Sequence, residues 1–382
     1  MPDTANNASA SPGPLDSATV DRVRAAGNVW RLDGGELWLP EAFGFCRGVE
    51  GALEMLARAV DDAAARGKRL LLLGEIIHNP WVNELFGARG VQILSSEQRD
   101  RLEQLIGPED CAVIPAFGVP LPVERRLRHV GCEVIDTTCG NVRRLWAWAD
   151  RAVADGRAVL VFGRATHDET VVTKSRLAAA GGSYLVVGDL DQVDRFCDMV
   201  RAGGSGDPAA AFGPAATNAR SITPFMRMGQ VSQTTMLYDE TMEVRRRVEE
   251  AFVERFGAEE GRDRLLFEPT VCRATQSRQS AAVELCRRGP DLAVVVGGFG
   301  SSNTRHLYEL ARQHTPAVFI ETAGAIRSPR EIESFDPQRE AAVTVRDWLP
   351  AKRPIRVAVL SGASTPEVLV GEVLERLAEL LR

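Results

Sequence analysis

Seven cysteines lie along the 382 residues, and three of them recur at one position of a pattern. Each starts a unit of cysteine, amphipathic helix, apolar strand closing on glycine, and polar cluster. The three are Cys46, Cys139 and Cys272, with Gly74, Gly163 and Gly297 as the closing glycines. A cysteine at a helix start is biased toward thiolate, because free N–H groups and the helix dipole stabilise negative charge. Three thiolates suit an iron–sulfur centre. Four usually saturate a [4Fe–4S] cluster, so three leave one iron without a protein ligand, open to a substrate oxygen. Three cysteines with a histidine also suit zinc. Cys111, Cys132, Cys197 and Cys286 lie in or beside apolar runs and read as small buried hydrophobes.

The polar clusters that follow the strands supply the remaining chemistry. His78 and His167 stand in equivalent loops of the first two copies, placed to touch a ligand or an anion. Glu169 follows His167 closely; it is either a helix-start carboxylate or the acid that protonates a departing hydroxyl, with Thr234 placed to orient or relay the proton. Ser301, Ser302, Asn303 and Ser364 cap helices in one reading and cradle a phosphate in the other. With the two histidines they suit a small phosphorylated substrate.

Positioning these groups requires alternating helices and buried strands. Apolar runs at Arg69–Leu73, Ala158–Phe162 and Leu292–Val296 predict one strand per copy, and Cys111–Pro115, Gly229–Ser232 and Ile355–Leu360 predict a second. The pattern predicts an α/β chain of three pseudo-repeated domains with parallel sheets, whose strand ends converge on a central cavity. The expected boundaries are a disordered tail over 1–28 and domains over 29–138, 139–265 and 266–382, each with one of the three cysteines. The Gly-, Ala- and Pro-rich stretch near 202–224 reads as a flexible insertion.

Composition narrows the function. A net charge of −6 argues against a nucleic-acid partner. The longest apolar runs are far too short for a membrane span. The first twenty residues lack the features of a secretory or transit signal, which leads to an expectation of a cytoplasmic protein with reduced thiols.

In order along the chain stand Gly44-Phe-Cys46-x-Gly-Val-Glu50, Glu75-Ile-Ile-His-Asn-Pro80, Pro115-Ala-Phe-Gly118, Asp136-Thr-Thr-Cys139, His167-Asp-Glu-Thr170, Gln233-Thr-Thr-Met-Leu237, Cys272-x-Ala-Thr-Gln-x-Arg-Gln279, Ser301-Ser-Asn-Thr304 and Ser361-Gly-Ala-Ser-Thr-Pro366. As a set these resemble the LytB/IspH family of 4-hydroxy-3-methylbut-2-enyl diphosphate reductases, most closely its plant and cyanobacterial branch. The resemblance implies a trefoil of three α/β domains around a [4Fe–4S] cluster on Cys46, Cys139 and Cys272. It implies reductive removal of an allylic hydroxyl, with protons from Glu169 and the hydroxyl positioned by Thr234. His78, Ser301, Ser302, Asn303 and Ser364 would hold the diphosphate, with His167 nearby, and ferredoxin or flavodoxin would supply electrons. The chain departs from the usual family pattern at Arg47, Gly51, Phe117, Gly140, Asn141 and Gly300. Two other readings of the same residues are a paralogue acting on a different substrate and a non-catalytic iron–sulfur redox sensor.

Overall fold

The computed structural model describes residues 14–204 and 206–382, which form two compact units. One runs from Cys46 to Ser277; the other joins the segment through Phe45 to that from Arg278 onward.

The Cys46–Ser277 unit contains two four-stranded parallel sheets of identical plan. In the first, the order across the sheet is Val91–Ile93, Leu70–Leu72, Cys111–Ile114, Glu133–Asp136. In the second it is Tyr184–Val187, Ala158–Phe162, Met228–Ser232, Leu265–Phe267. Each sheet therefore reads second, first, third, fourth strand. Leu70–Leu72, Cys111–Ile114, Ala158–Phe162 and Met228–Ser232 are buried throughout, as central strands covered on both faces require.

The other unit repeats the plan with one substitution. Ala317–Ile320, Leu292–Val296 and Ile355–Ser361 run parallel in the second, first, third order. The helix Glu367–Leu380 then follows, and the fourth place is taken by Gly35–Trp38, which pairs parallel with Ile355–Ser361 and antiparallel with Val29–Leu32. Residues 29–38, expected in the first domain, thus complete the third sheet. In consequence all three candidate cysteines share one topological address: each comes shortly after a fourth strand, where the chain leaves one sheet for the next. An antiparallel meander, Ile326–Ser328, Glu331–Asp336 and Ala341–Arg346, is added to this unit.

Two expectations are corrected. Residues 1–13 of the expected disordered tail lie outside the described residues, but 14–28 are structured. Ala18–Ala25 is a helix capped by Ser17, whose hydroxyl accepts from Val20 N. Val20 and Val23 form its buried stripe, and Thr19 Oγ1 donates to Glu375 on the helix Glu367–Leu380 at 2.5 Å. The expected flexible insertion is stitched to its own unit. Pro208–Phe212 is a short helix, Thr217 Oγ1 donates to Tyr184 O at 2.6 Å, and Ile222 and Phe225 are fully buried. Among the described residues no helix is long and apolar enough to cross a membrane.

Candidate functional site

Helix starts position most of the site. Cys46 caps the helix Arg47–Ala65, Cys139 caps Gly140–Ala154, and Cys272 directly precedes Arg273–Arg287. All three belong to the Cys46–Ser277 unit. Gly48 lies beside two of them: a Cβ built there would be 3.8 Å from Cys46 Sγ, an ordinary contact, but 2.6 Å from Cys139 Sγ, so glycine leaves room for the Cys139 sulfur. A negative charge on Cys46 would push both the Cys139 and the Cys272 thiol up. Burial pushes the Cys139 and Cys272 thiols up, while helix-start donors pull them back. Backbone N–H groups of Asn141 and Val142 act on Cys139; Thr275 acts on Cys272 through its N–H at 3.3 Å and its hydroxyl at 3.0 Å.

Among the described residues no three His, Cys, Asp or Glu side chains gather closely enough to hold a single metal ion. A cubane is gripped at separate corners by separate sulfurs, which stand farther apart than the ligands of one ion, and three thiols at three helix starts fit that donor set.

Beside the thiols lies a buried acid. Glu169 is 1% exposed and sits in the first turn of Asp168–Ala179, whose cap is His167, with Nδ1 accepting from Glu169 N at 3.2 Å. Its carboxyl accepts from Thr234 N at 2.7 Å and is 2.5 Å from Thr234 Oγ1. Burial pushes Glu169 above the ordinary carboxylate range; the Thr234 hydroxyl and N–H and the charge of His78 oppose that rise. Thr234 is joined to the ligand set by backbone, since its carbonyl accepts from Cys272 N at 3.0 Å.

The two histidines meet at one face. The His78 ring stacks on Phe117 with centroids 4.3 Å apart at 14°, and His167 presents its edge to His78 at 5.1 Å. His78 Nδ1 lies 3.1 Å from Glu75 Oε2. Its Nε2 is buried without a hydrogen-bond partner, 3.8 Å from Asp168 Oδ2. Asn83 fixes this loop, accepting from Ile76 N and donating to the Ile77 and Asn79 carbonyls.

The second unit holds the serine–asparagine group. Ser301 caps Ser302–Arg312, with its hydroxyl accepting from Thr304 N at 3.3 Å and lying 3.1 Å from Ser364 Oγ. Asn303 is 2% exposed, and neither its Oδ1 nor its Nδ2 has a partner; Ser302 Oγ is likewise buried and unpaired. Ser302 Oγ and Asn303 Nδ2 are thus donors free to meet an acceptor at a helix N-terminus.

The LytB protein family matches residues 37–378. The chain belongs to the LytB family. Among its relatives, the 4-hydroxy-3-methylbut-2-enyl diphosphate reductase of Thermosynechococcus vestitus is 33% identical over 96% of this chain and 90% of its own length. The enzyme of the same name from Gloeobacter violaceus is 34% identical over 96% and 88%. A solved (E)-4-hydroxy-3-methyl-but-2-enyl diphosphate reductase shares 25% identity over 90% of this chain and 99% of its own, with a TM-score of 0.55. The Plasmodium falciparum E-1-hydroxy-2-methyl-but-2-enyl-4-diphosphate reductase, at 19% identity and a TM-score of 0.65 over 91% and 88%, shares the fold.

Every residue singled out from the sequence falls in one of these two groups: Cys46, Cys139, Cys272, His78, His167, Glu169 and Thr234 in one unit, Ser301, Ser302, Asn303 and Ser364 in the other. Sequence reasoning left three contributors without roles. Gln233 accepts from Arg164 N and Thr170 Oγ1 and donates to Thr235, tying the His167 loop to the Thr234 loop. Thr275 bonds the Cys272 sulfur, and Gly48 makes space for the Cys139 sulfur. All three lie inside the quoted motifs, which was their only signal.

Proposed function

We propose that this chain carries a [4Fe–4S] cluster on Cys46, Cys139 and Cys272 and reductively removes the allylic hydroxyl of 4-hydroxy-3-methylbut-2-enyl diphosphate, giving isopentenyl and dimethylallyl diphosphates. The observation that carries the reading is the buried Glu169–Thr234 pair beside three thiols. Hydroxide is a poor leaving group and needs a proton as it departs. When bound, the cluster would supply two electrons and, at the iron without a protein ligand, a Lewis acid for the hydroxyl oxygen.

The chain's own residues do the rest. Glu169, whose carboxyl burial pushes above the ordinary range, delivers one proton through the Thr234 hydroxyl it contacts to the departing hydroxyl, which leaves as water, while the second proton ends on the allylic carbon. Thr234 in turn orients the substrate hydroxyl. His78 and His167, held by Glu75 and the Phe117 ring, present imidazole nitrogen to anionic oxygens. Ser301, Ser302, Asn303 and Ser364 recognise the diphosphate, and the buried atoms of Ser302 and Asn303 that have no partner among the described residues support that assignment. A small electron carrier such as ferredoxin or flavodoxin supplies the electrons, and a cytoplasmic setting, which keeps thiols reduced, suits the free cysteines. A redox sensor needs no buried proton donor, which favours the enzyme.

The test is anaerobic purification with iron and sulfide counting, followed by turnover of the allylic diphosphate with a strong reductant. A loaded chain that leaves this substrate untouched would sink the reading.

A further inference from the structure

Arg278 lies inside the Cys272-x-Ala-Thr-Gln-x-Arg-Gln279 motif and has no place in the chemistry above. It is 8% exposed, on the helix Arg273–Arg287, which begins at the residue after Cys272. Its guanidinium gathers backbone carbonyls. Nε donates to Gly44 O at 3.0 Å, and Nη2 donates to Gly44 O at 2.8 Å and to Phe45 O at 2.6 Å, with Phe43 O at 3.5 Å.

Those carbonyls form the turn that runs into Cys46. The Phe45 carbonyl belongs to the peptide bond whose nitrogen is that of Cys46, so fixing its direction fixes the entry of the Cys46 backbone. The turn needs fixing. Gly44 has a φ of +68°, and successive carbonyl oxygens aimed at one point repel each other unless a cation sits there. From the other side, Ser361 Oγ accepts from Gly44 N at 2.9 Å, and Arg24 lies over the Phe43 ring at 5.2 Å. A planar fork with five donors suits several convergent carbonyls; a lysine point charge does not.

We propose that Arg278 is a positioning residue that sets where the Cys46 thiolate is presented, linking that arm to the helix that follows Cys272. This rests on Cys46 being a cluster ligand. Groups that orient metal ligands from behind are typically worth about 10–100-fold in metal affinity.

The test compares the full-length wild-type chain with Arg278→Met and Arg278→Lys. The cofactor-free proteins are alkylated with iodoacetamide, and the rates at Cys46, Cys139 and Cys272 are read separately by mass spectrometry. After anaerobic reconstitution, retained iron and the electron paramagnetic resonance spectrum of the cluster are compared. The expected result is faster labelling at Cys46 alone, iron affinity lower by about 10–100-fold in Arg278→Met, a changed spectrum, and partial recovery in Arg278→Lys. Wild-type labelling ratios in both variants overturn the proposal, as does equal acceleration at all three thiols. If Arg278→Met does not yield folded protein, the Arg278→Lys ratios decide alone. Failure of the wild type to take up iron and sulfide would reject the cluster reading, while the labelling ratios would still judge whether Arg278 orders the Cys46 turn.

Discussion

The Glu169–Thr234 pair and the Ser301–Thr304 turn are both buried and polar, and they solve burial in opposite ways. Glu169 has its carboxyl engaged by a backbone N–H and a hydroxyl of the same unit. Asn303 and Ser302, at similar burial, leave side-chain atoms with no partner at all. The first group is complete within the chain; the second leaves side-chain atoms unpaired among the described residues. A proton donor has to be set in place before reaction, whereas an anion cradle gains by leaving its donors for the anion.

That contrast can be broken or sharpened by experiment. The largest effect is expected from Glu169→Gln, which keeps the shape and both Thr234 bonding sites but has no acidic proton. Turnover should fall by ~10² or more with the cluster still bound and KM little changed. Wild-type turnover should also decline as pH rises through the Glu169 pKa, at a pH displaced upward from the ordinary carboxylate value, and the variant should lack that limb. The sign follows because the acid works only while protonated. Full activity in the variant would remove Glu169 from the mechanism.

Next comes the cradle. Inorganic diphosphate at a hundred times its Kd should stabilise the chain by about 2.7 kcal/mol in thermal melts. No shift at any concentration would mean that the orphaned atoms serve some other purpose. Thr234→Val should follow, costing the cofactor-free chain about 1–3 kcal/mol in urea unfolding because a buried carboxyl loses a bond. The smallest change is expected for Asn303→Ala, under about 1 kcal/mol without ligand because no bond is lost, yet with most of the diphosphate shift abolished. If Asn303→Ala unfolds the free protein as much as Thr234→Val does, the distinction between the two groups fails.

Much of this architecture is legible in the residues. The recurring cysteine, helix, apolar strand and glycine gave the two strands of each copy, because central parallel strands must be apolar throughout. The meander at Ile326–Arg346 escaped notice although Glu331-Ile332-Glu333-Ser334 alternates exposed and buried faces; its signal is short and only half apolar. The partner of Gly35–Trp38 was illegible for a different reason: strand pairing across nearly the whole chain leaves no local trace. In the site, residue identity was readable and geometry was not. Glu169 and Thr234 were assigned to one proton path, but only the fold shows that the Thr234 N–H and hydroxyl both meet the carboxyl. Arg278 was quoted within a motif, and nothing in its neighbours announced that its guanidinium would meet the carbonyls of residues 43–45.

The pairing of Gly35–Trp38 with Ile355–Ser361 also governs the order of assembly. The strand Gly35–Trp38 is made long before its sheet partner Ile355–Ser361. The two sheets between Cys46 and Ser277 draw on sequence that emerges in one stretch and can close as it appears. The hairpin Val29–Trp38 must wait for residues 355–361, its edge exposed through most of synthesis.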